Sequence, residues 1–124
     1  MNQLVKTIII CITITGCSSL QMKREMKSTR DLEIMDVDFS ELDNGTYKGA
    51  YTYCDFKYEV EVYVTNKKID SINVLSNRST KKAKQAENII ARILKEQSLN
   101  VDAQTGATTT SKAILKATEN ALTK

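Results

Sequence analysis

The sequence predicts an α+β fold, a small antiparallel β-meander packed by two helices, with the candidate functional loop at the N-terminus of the last helix. Three observations carry the prediction. Residues 46–75 are rich in Tyr, Thr, Val and Ile and alternate with period two; apolar residues after Thr80 recur at helical spacing; and a Gly-centred, hydroxyl-rich turn stands directly ahead of a second helical pattern.

The first strand runs from Thr46 to Tyr53, and its Tyr47, Tyr51 and Tyr53 share a face by strand parity. The second, Tyr58 to Thr65, reads Tyr-Glu-Val-Glu-Val-Tyr-Val-Thr, as a half-buried strand should. Cys54 to Lys57 connects the two. Asn66-Lys67-Lys68 is a tight-turn signal leading into a third strand, Ile69 to Leu75, with Ile72 and Val74 on the core face. Beyond Ser76–Thr80, residues Ala83, Ala86, Ile90, Ile93 and Leu94, with Gln97 at the edge, form one apolar stripe and predict a single helix ending at Gln97. The last helix spans Thr110 to Leu122. It sets Ile114, Ala117, Thr118 and Ala121 on one side, with Thr109 or Thr110 as its cap. Both stripes need a sheet to cover, and the Val and Ile face of the meander is the available surface.

The N-terminal end speaks to location. A short polar start containing Lys6, an apolar run over Ile8–Ile12 and then Ile14-Thr15-Gly16-Cys17 resemble a bacterial lipoprotein signal, with Cys17 as the lipidated first residue. The apolar stretch is shorter than the ~20 residues a spanning helix needs and is interrupted by threonines. The expectation is a signal peptide over 1–16, a lipid-anchored flexible tether over 17–43 and one domain over 44–124, on the extracytoplasmic side of a membrane in a bacterial cell envelope. Removing the first 16 of 124 residues leaves 108, enough for one small domain. Charged and polar residues dominate the tether, which has room for one short helical or strand segment. As a flexible coil it would hold the domain about 25–30 Å from the bilayer.

Composition excludes several chemistries. There is no histidine, so Ser-His or Cys-His activation and histidine metal ligation are absent. Of three cysteines, Cys11 leaves with the signal peptide and Cys17 carries lipid, so Cys54 is expected to be a lone packed residue without a disulfide or a metal role. Glu59 and Glu61 share a strand face, but Glu alternating with Val is the ordinary solvent side of a half-buried strand. Lys81, Lys82 and Lys84 read as a solvated helix start, with a ligand phosphate or anionic envelope polymers as the other reading. A net charge of only +3 and export argue against nucleic acid.

Asp102-Ala103-Gln104-Thr105-Gly106-Ala107-Thr108-Thr109-Thr110-Ser111 is the most informative segment. A helix N-terminus exposes unpaired N–H groups and partial positive charge, and Gly106 and Ala107 leave the backbone uncovered, so an anion can sit close to Thr108. On these features alone, a plain capped helix after a Gly turn reads the same way.

Asp-x-x-Thr-Gly-Ala-Thr followed by Thr-x-Ser resembles the flavinylation motif of the FMN-binding domain family, which includes the flavin subunits of sodium-pumping and Rnf-type redox complexes. A second block, Asp43-Asn44-Gly45-Thr46-Tyr47-Lys48-Gly49, resembles that domain's opening strand. The resemblance implies FMN joined through its phosphate to the Thr108 hydroxyl by a separate FMN transferase. It further implies close approach of the phosphate over Gly106 and Ala107, and hydrogen bonds from Thr105, Thr109 and Ser111. Thr110 belongs to the same loop, and Asp102 serves the transferase. Tyr47, Tyr51 and Tyr53 then either stack on the flavin ring or simply pack the sheet. The implied function is extracytoplasmic electron transfer, without turnover by the isolated domain. Its partners would be a membrane electron donor and an extracytoplasmic acceptor or reductase. A short connection, Ser76 to Lys82, where larger members have a longer loop, implies an exposed ring. Reversible binding of FMN or another phosphate ligand, and a purely structural envelope role, are the rival readings.

Overall fold

Two tight turns organise the sheet. The computed structural model describes residues 17–123, so the expected signal segment 1–16 lies outside the described residues. Cys54 and Asp55 join β1 (Gly45–Tyr53) to β2 (Phe56–Thr65), and Asn66 and Lys67 join β2 to β3 (Lys68–Ser76). Asn66 and Lys67 both take left-handed backbone, φ 53° and 63°, the pairing whose twist matches the flanking strands. The result is an antiparallel meander in the order β1-β2-β3. The first turn is tighter than expected, because pairing continues to Tyr53↔Phe56.

Tyr58, Val60, Val62 and Val64 are buried on one face of β2. Glu59 and Glu61 point the other way, Glu59 pairing with Lys57 at 2.9 Å and Glu61 accepting the Tyr63 hydroxyl at 2.8 Å. In β3 a register shift at Tyr63/Val64 lets both Ile69 and Ile72 reach the core, leaving Val74 half-buried.

The last helix, α4 (Thr108–Leu122), lies over β1 and β2. Ile114 and Leu115 are fully buried there, each contributing about 1.5–3 kcal/mol relative to exposure. Gly49 is required by this packing. A Cβ at that position would fall 2.2 Å from the Ala117 carbonyl oxygen and 2.3 Å from the Ala121 nitrogen, so strand and helix backbones touch. Asn120 adds a bond from Nδ2 to the Ala50 carbonyl at 2.9 Å.

The single helix expected over 81–97 is two, α2 (Lys81–Ala86) and α3 (Ile89–Glu96). The cause is Asn77. Its Nδ2 donates to the Ala83 carbonyl at 2.9 Å and to Glu87 Oε2 at 2.8 Å, taking the acceptor that the Glu87 N–H would use in a continuous helix. The Glu87 and Asn88 amides turn instead to Lys84 and Gln85, one residue closer. At the far end Gln97, at φ 49°, clamps the edge of β3: its Oε1 accepts from the Ile69 N–H at 2.8 Å and its Nε2 donates to the Ile69 carbonyl at 3.0 Å.

In the segment expected as a tether with room for one short helical or strand segment, the structure has α1 (Ser19–Arg30), capped by Ser18, whose side chain accepts from Gln21 N–H at 3.2 Å. Thr29 is fully buried, its hydroxyl 3.0 Å from that of Tyr51, and Met22 and Met26 pack against the core. The chain from Leu32 to Leu42 follows. Lys112 Nζ holds the Leu32 carbonyl at 3.0 Å, Glu119 Oε1 accepts the Met35 N–H at 2.9 Å, and Phe39 is buried. Apolar spacing too irregular to announce a helix still supplies enough anchors to dock one.

Cys54 is not alone. It forms a disulfide with Cys17 across a Cα–Cα distance of 5.3 Å, within the ordinary range. The bond pins the start of α1 to the first hairpin, and Glu25 accepts the Cys54 N–H beside it. The expectation that no disulfide is possible is corrected, because the helix reading missed in 19–30 is what returns Cys17 to the hairpin. A sulfur in this bond is not free for a thioether, so the disulfide and the expected lipid on Cys17 are alternative states of one atom.

Candidate functional site

Thr108 is the first residue of α4 and is exposed. The residue before it, Ala107, offers no capping side chain, so the first-turn amides lack both an intrahelical partner and a hydroxyl cap. The expected cap at Thr109 or Thr110 is not formed, because the helix begins at Thr108, two residues earlier than expected. Gly106 sits at φ 79°, a left-handed conformation that glycine adopts freely, with open space where a Cβ would be.

A cavity of about 590 Å³ opens here, within the size range of ligand sites. One wall is the turn Gly106–Thr110. The others come from distant parts of the chain: Met26 and Arg30 of α1, Tyr53 of β1, Arg78 of the β3–α2 connection, and Thr80 to Ala83 at the start of α2. Four cationic side chains, Arg30, Arg78, Lys81 and Lys82, line it together with no carboxylate. Among the described residues none of the four has an ion-pair partner. Lys84 stands outside the lining and pairs with Glu87 at 3.6 Å.

Beneath the cavity is an aromatic cluster. Tyr53 stacks on Tyr58 at 5.7 Å and meets Phe56 edge-on at 5.5 Å, while the Arg78 guanidinium lies 4.0 Å above the Phe56 ring centroid. The Tyr58 hydroxyl donates to that of Tyr53 at 3.2 Å. Burial, reinforced by Tyr53, holds the Tyr58 phenol above its ordinary range against the opposing influence of Thr110 and Arg78. Tyr58 is therefore neutral and buried behind Tyr53, which lines the site.

The structure divides the residues singled out in the sequence. Gly106, Ala107, Thr108, Thr109 and Thr110 line the cavity. Asp102 and Thr105 line a neighbouring groove with Arg92 and Glu96, and Arg92 braces the loop from there, donating to the Asp102 carbonyl and to Gln104 Oε1, each at 2.8 Å. Ser111 is fully buried below the turn. Its hydroxyl donates to the Ala107 carbonyl at 2.7 Å and accepts the Gln104 N–H at 3.1 Å, so it shapes the loop and does not reach the cavity. Of the three tyrosines on one strand face, Tyr53 reaches the site. Tyr51 bonds Thr29, and Tyr47 donates to the Asp43 carbonyl at 2.6 Å. Sequence reasoning missed Met26, Arg30 and Arg78, which carry no local motif. Lys81 and Lys82 were visible as a cluster but only folding brings them to Thr108.

An uncapped helix N-terminus presenting a hydroxyl inside a cation-lined cavity defines a small α+β domain that takes a phosphate-bearing ligand. The family model of the FMN-binding domain matches residues 55–123. The chain belongs to the FMN-binding domain family, whose cofactor is FMN. No curated protein matches the chain.

Proposed function

We propose that the protein is an extracytoplasmic electron carrier with FMN joined by a phosphoester to Thr108. The observation that carries this reading is the position of Thr108: exposed, at the uncapped start of a fifteen-residue helix, in a cavity whose charged lining is entirely cationic. The uncapped amides and Lys81 and Lys82 suit a phosphodiester, Gly106 leaves it room, and Tyr53 lines the same cavity. Bound FMN supplies reversible acceptance of one or two electrons. The chain's part is to hold it and set its electrostatics. Asp102, exposed on the neighbouring groove, suits contact with an FMN transferase from outside the cavity. A membrane electron donor and an extracytoplasmic acceptor or reductase complete the reading.

Lipidation of Cys17 would anchor the protein in the envelope. With α1 docked, the anchor would lie against the first hairpin in place of the end of a long coil, bringing the domain to the bilayer surface. That state leaves Cys54 as a free thiol. The intact mass of protein extracted from its native envelope decides between a diacylglyceryl adduct on Cys17 and the disulfide.

The test of the flavin reading is intact mass and peptide mapping of residues 17–124 produced with and without an FMN transferase. An adduct of FMN less water on Thr108, dependent on the transferase and absent from a folded Thr108→Ala variant, is expected. Flavin that is lost on dialysis would mean reversible binding instead, and a folded protein without flavin under either condition would sink both.

A further inference from the structure

The cavity holds more positive charge than a phosphodiester can neutralise. An FMN phosphoester carries one negative charge, and the amides at the start of α4 already face it. Arg30, Arg78, Lys81 and Lys82 reach the same cavity from three further elements, and α4 contributes no acidic residue in its first turn. Tyr53, with Tyr58 behind it, is the only other titratable side chain in the lining. The surplus has no protein partner among the described residues.

The cations differ in how firmly they are held. Lys81 and Lys82 are exposed and their fields are screened within about 8–10 Å in physiological salt. Arg78 is half-buried, its guanidinium resting on Phe56 and its backbone N–H bonded to Asn77 Oδ1 at 2.7 Å, while Asn77 itself is tied to Ala83 and Glu87. A partly desolvated, fixed guanidinium acts more strongly than a mobile ammonium on a charge that develops beside it.

Resting on the reading that FMN occupies this cavity from Thr108, we propose that Arg78, with Arg30 of α1 in the same lining, sets the charge state of the reduced flavin. The ring takes two electrons but only one proton and is held as its anion by the guanidinium groups. The balance is FMN plus two electrons and one proton giving the singly protonated reduced anion, at pH values low enough that free FMN takes up a second proton from solvent. The consequence at those pH values is a higher reduction potential than free FMN and a flavin that releases one proton, in place of two, with each electron pair.

The experiment uses the flavinylated chain, residues 17–124, with the adduct verified by mass so that a missing cofactor is seen before any titration. Anaerobic reductive titrations are run across pH, at values where free FMN takes up two protons per two electrons. The native protein is expected to take up one. Arg78→Gln should move it toward two and lower the potential, Arg78→Lys should retain one, and Arg30→Gln should shift in the same direction by less. Uptake of two protons by the native protein, or an unchanged proton count in both glutamine variants with flavin still loaded, overturns the proposal. Were Arg78→Gln to fold poorly, the native count and Arg30→Gln decide.

Discussion

The two sides of the cavity are built in opposite ways. The side bearing Thr108 is one continuous stretch, Gly106 to Thr110, at the start of α4. The facing side is assembled from Met26, Arg30, Tyr53 and Arg78, which belong to three separated segments. Two of the helix starts show the same contrast with α4: α1 and α2 are closed by the hydroxyls of Ser18 and Thr80, each 3.2 Å from the amide it caps, whereas α4 begins at Ala107 with no capping side chain, as α3 does where it follows α2 at Asn88. Anchoring a phosphate needs local backbone geometry, while surrounding a large ring needs tertiary assembly. The first can be written into a short motif and the second cannot.

Gly49→Ala should break this comparison most severely. The added methyl meets α4 backbone that cannot turn aside, so overpacking should cost about 3 kcal/mol, the upper end of the usual range, and push α4 off the sheet. Chemical denaturation should show the loss, and flavin loading should fall with it, because Thr108 rides on the displaced helix. Loading that stays at native level in a destabilised variant would mean that the Thr108 turn works without its platform.

Cys54→Ser acts on the other side alone. The disulfide closes a separation of 37 residues, for which about 2–4 kcal/mol is the usual stabilisation. Without it, α1 should exchange its amides faster while α4 keeps its protection, and the flavin ring should become more accessible to a solution quencher as Met26 and Arg30 loosen. Unchanged exchange in α1 would assign its docking to Thr29, Met22 and Met26. The same measurement bears on the lipidated state, which lacks the bond by chemistry.

These differences also explain what the sequence made legible. Period two in Tyr58–Thr65 and the Asn66-Lys67 turn specify their hairpin locally, so the meander appears where the pattern puts it, and α4 starts two residues ahead of its pattern. The break between α2 and α3 was hidden because Asn77, outside the helix, takes the Ala83 carbonyl. Residues 19–30 concealed a helix because Met22, Met26 and Thr29 give a narrow apolar stripe among charges, and docking onto Tyr51 and α4 supplies what the stripe lacks. Of the candidate site, the turn was readable and its occupant followed from resemblance. Ser111 was misread because a hydroxyl in a motif does not reveal its direction, and here burial turns it inward.

The smallest expected effect is the sharpest test of the capping contrast. Ala107→Ser places a hydroxyl where α1 and α2 already have one. If it reaches the free amides of the first turn, the protein without flavin should gain about 0.5–1 kcal/mol in stability. Those amides are the ones assigned to the phosphate, so transfer of FMN to Thr108 should slow several-fold in the same variant. The two readings move in opposite directions, which a general loss of structure cannot imitate. A variant that gains stability and still accepts FMN at the native rate would remove the uncapped amides from the account, leaving the cations of the facing side to attract the phosphate.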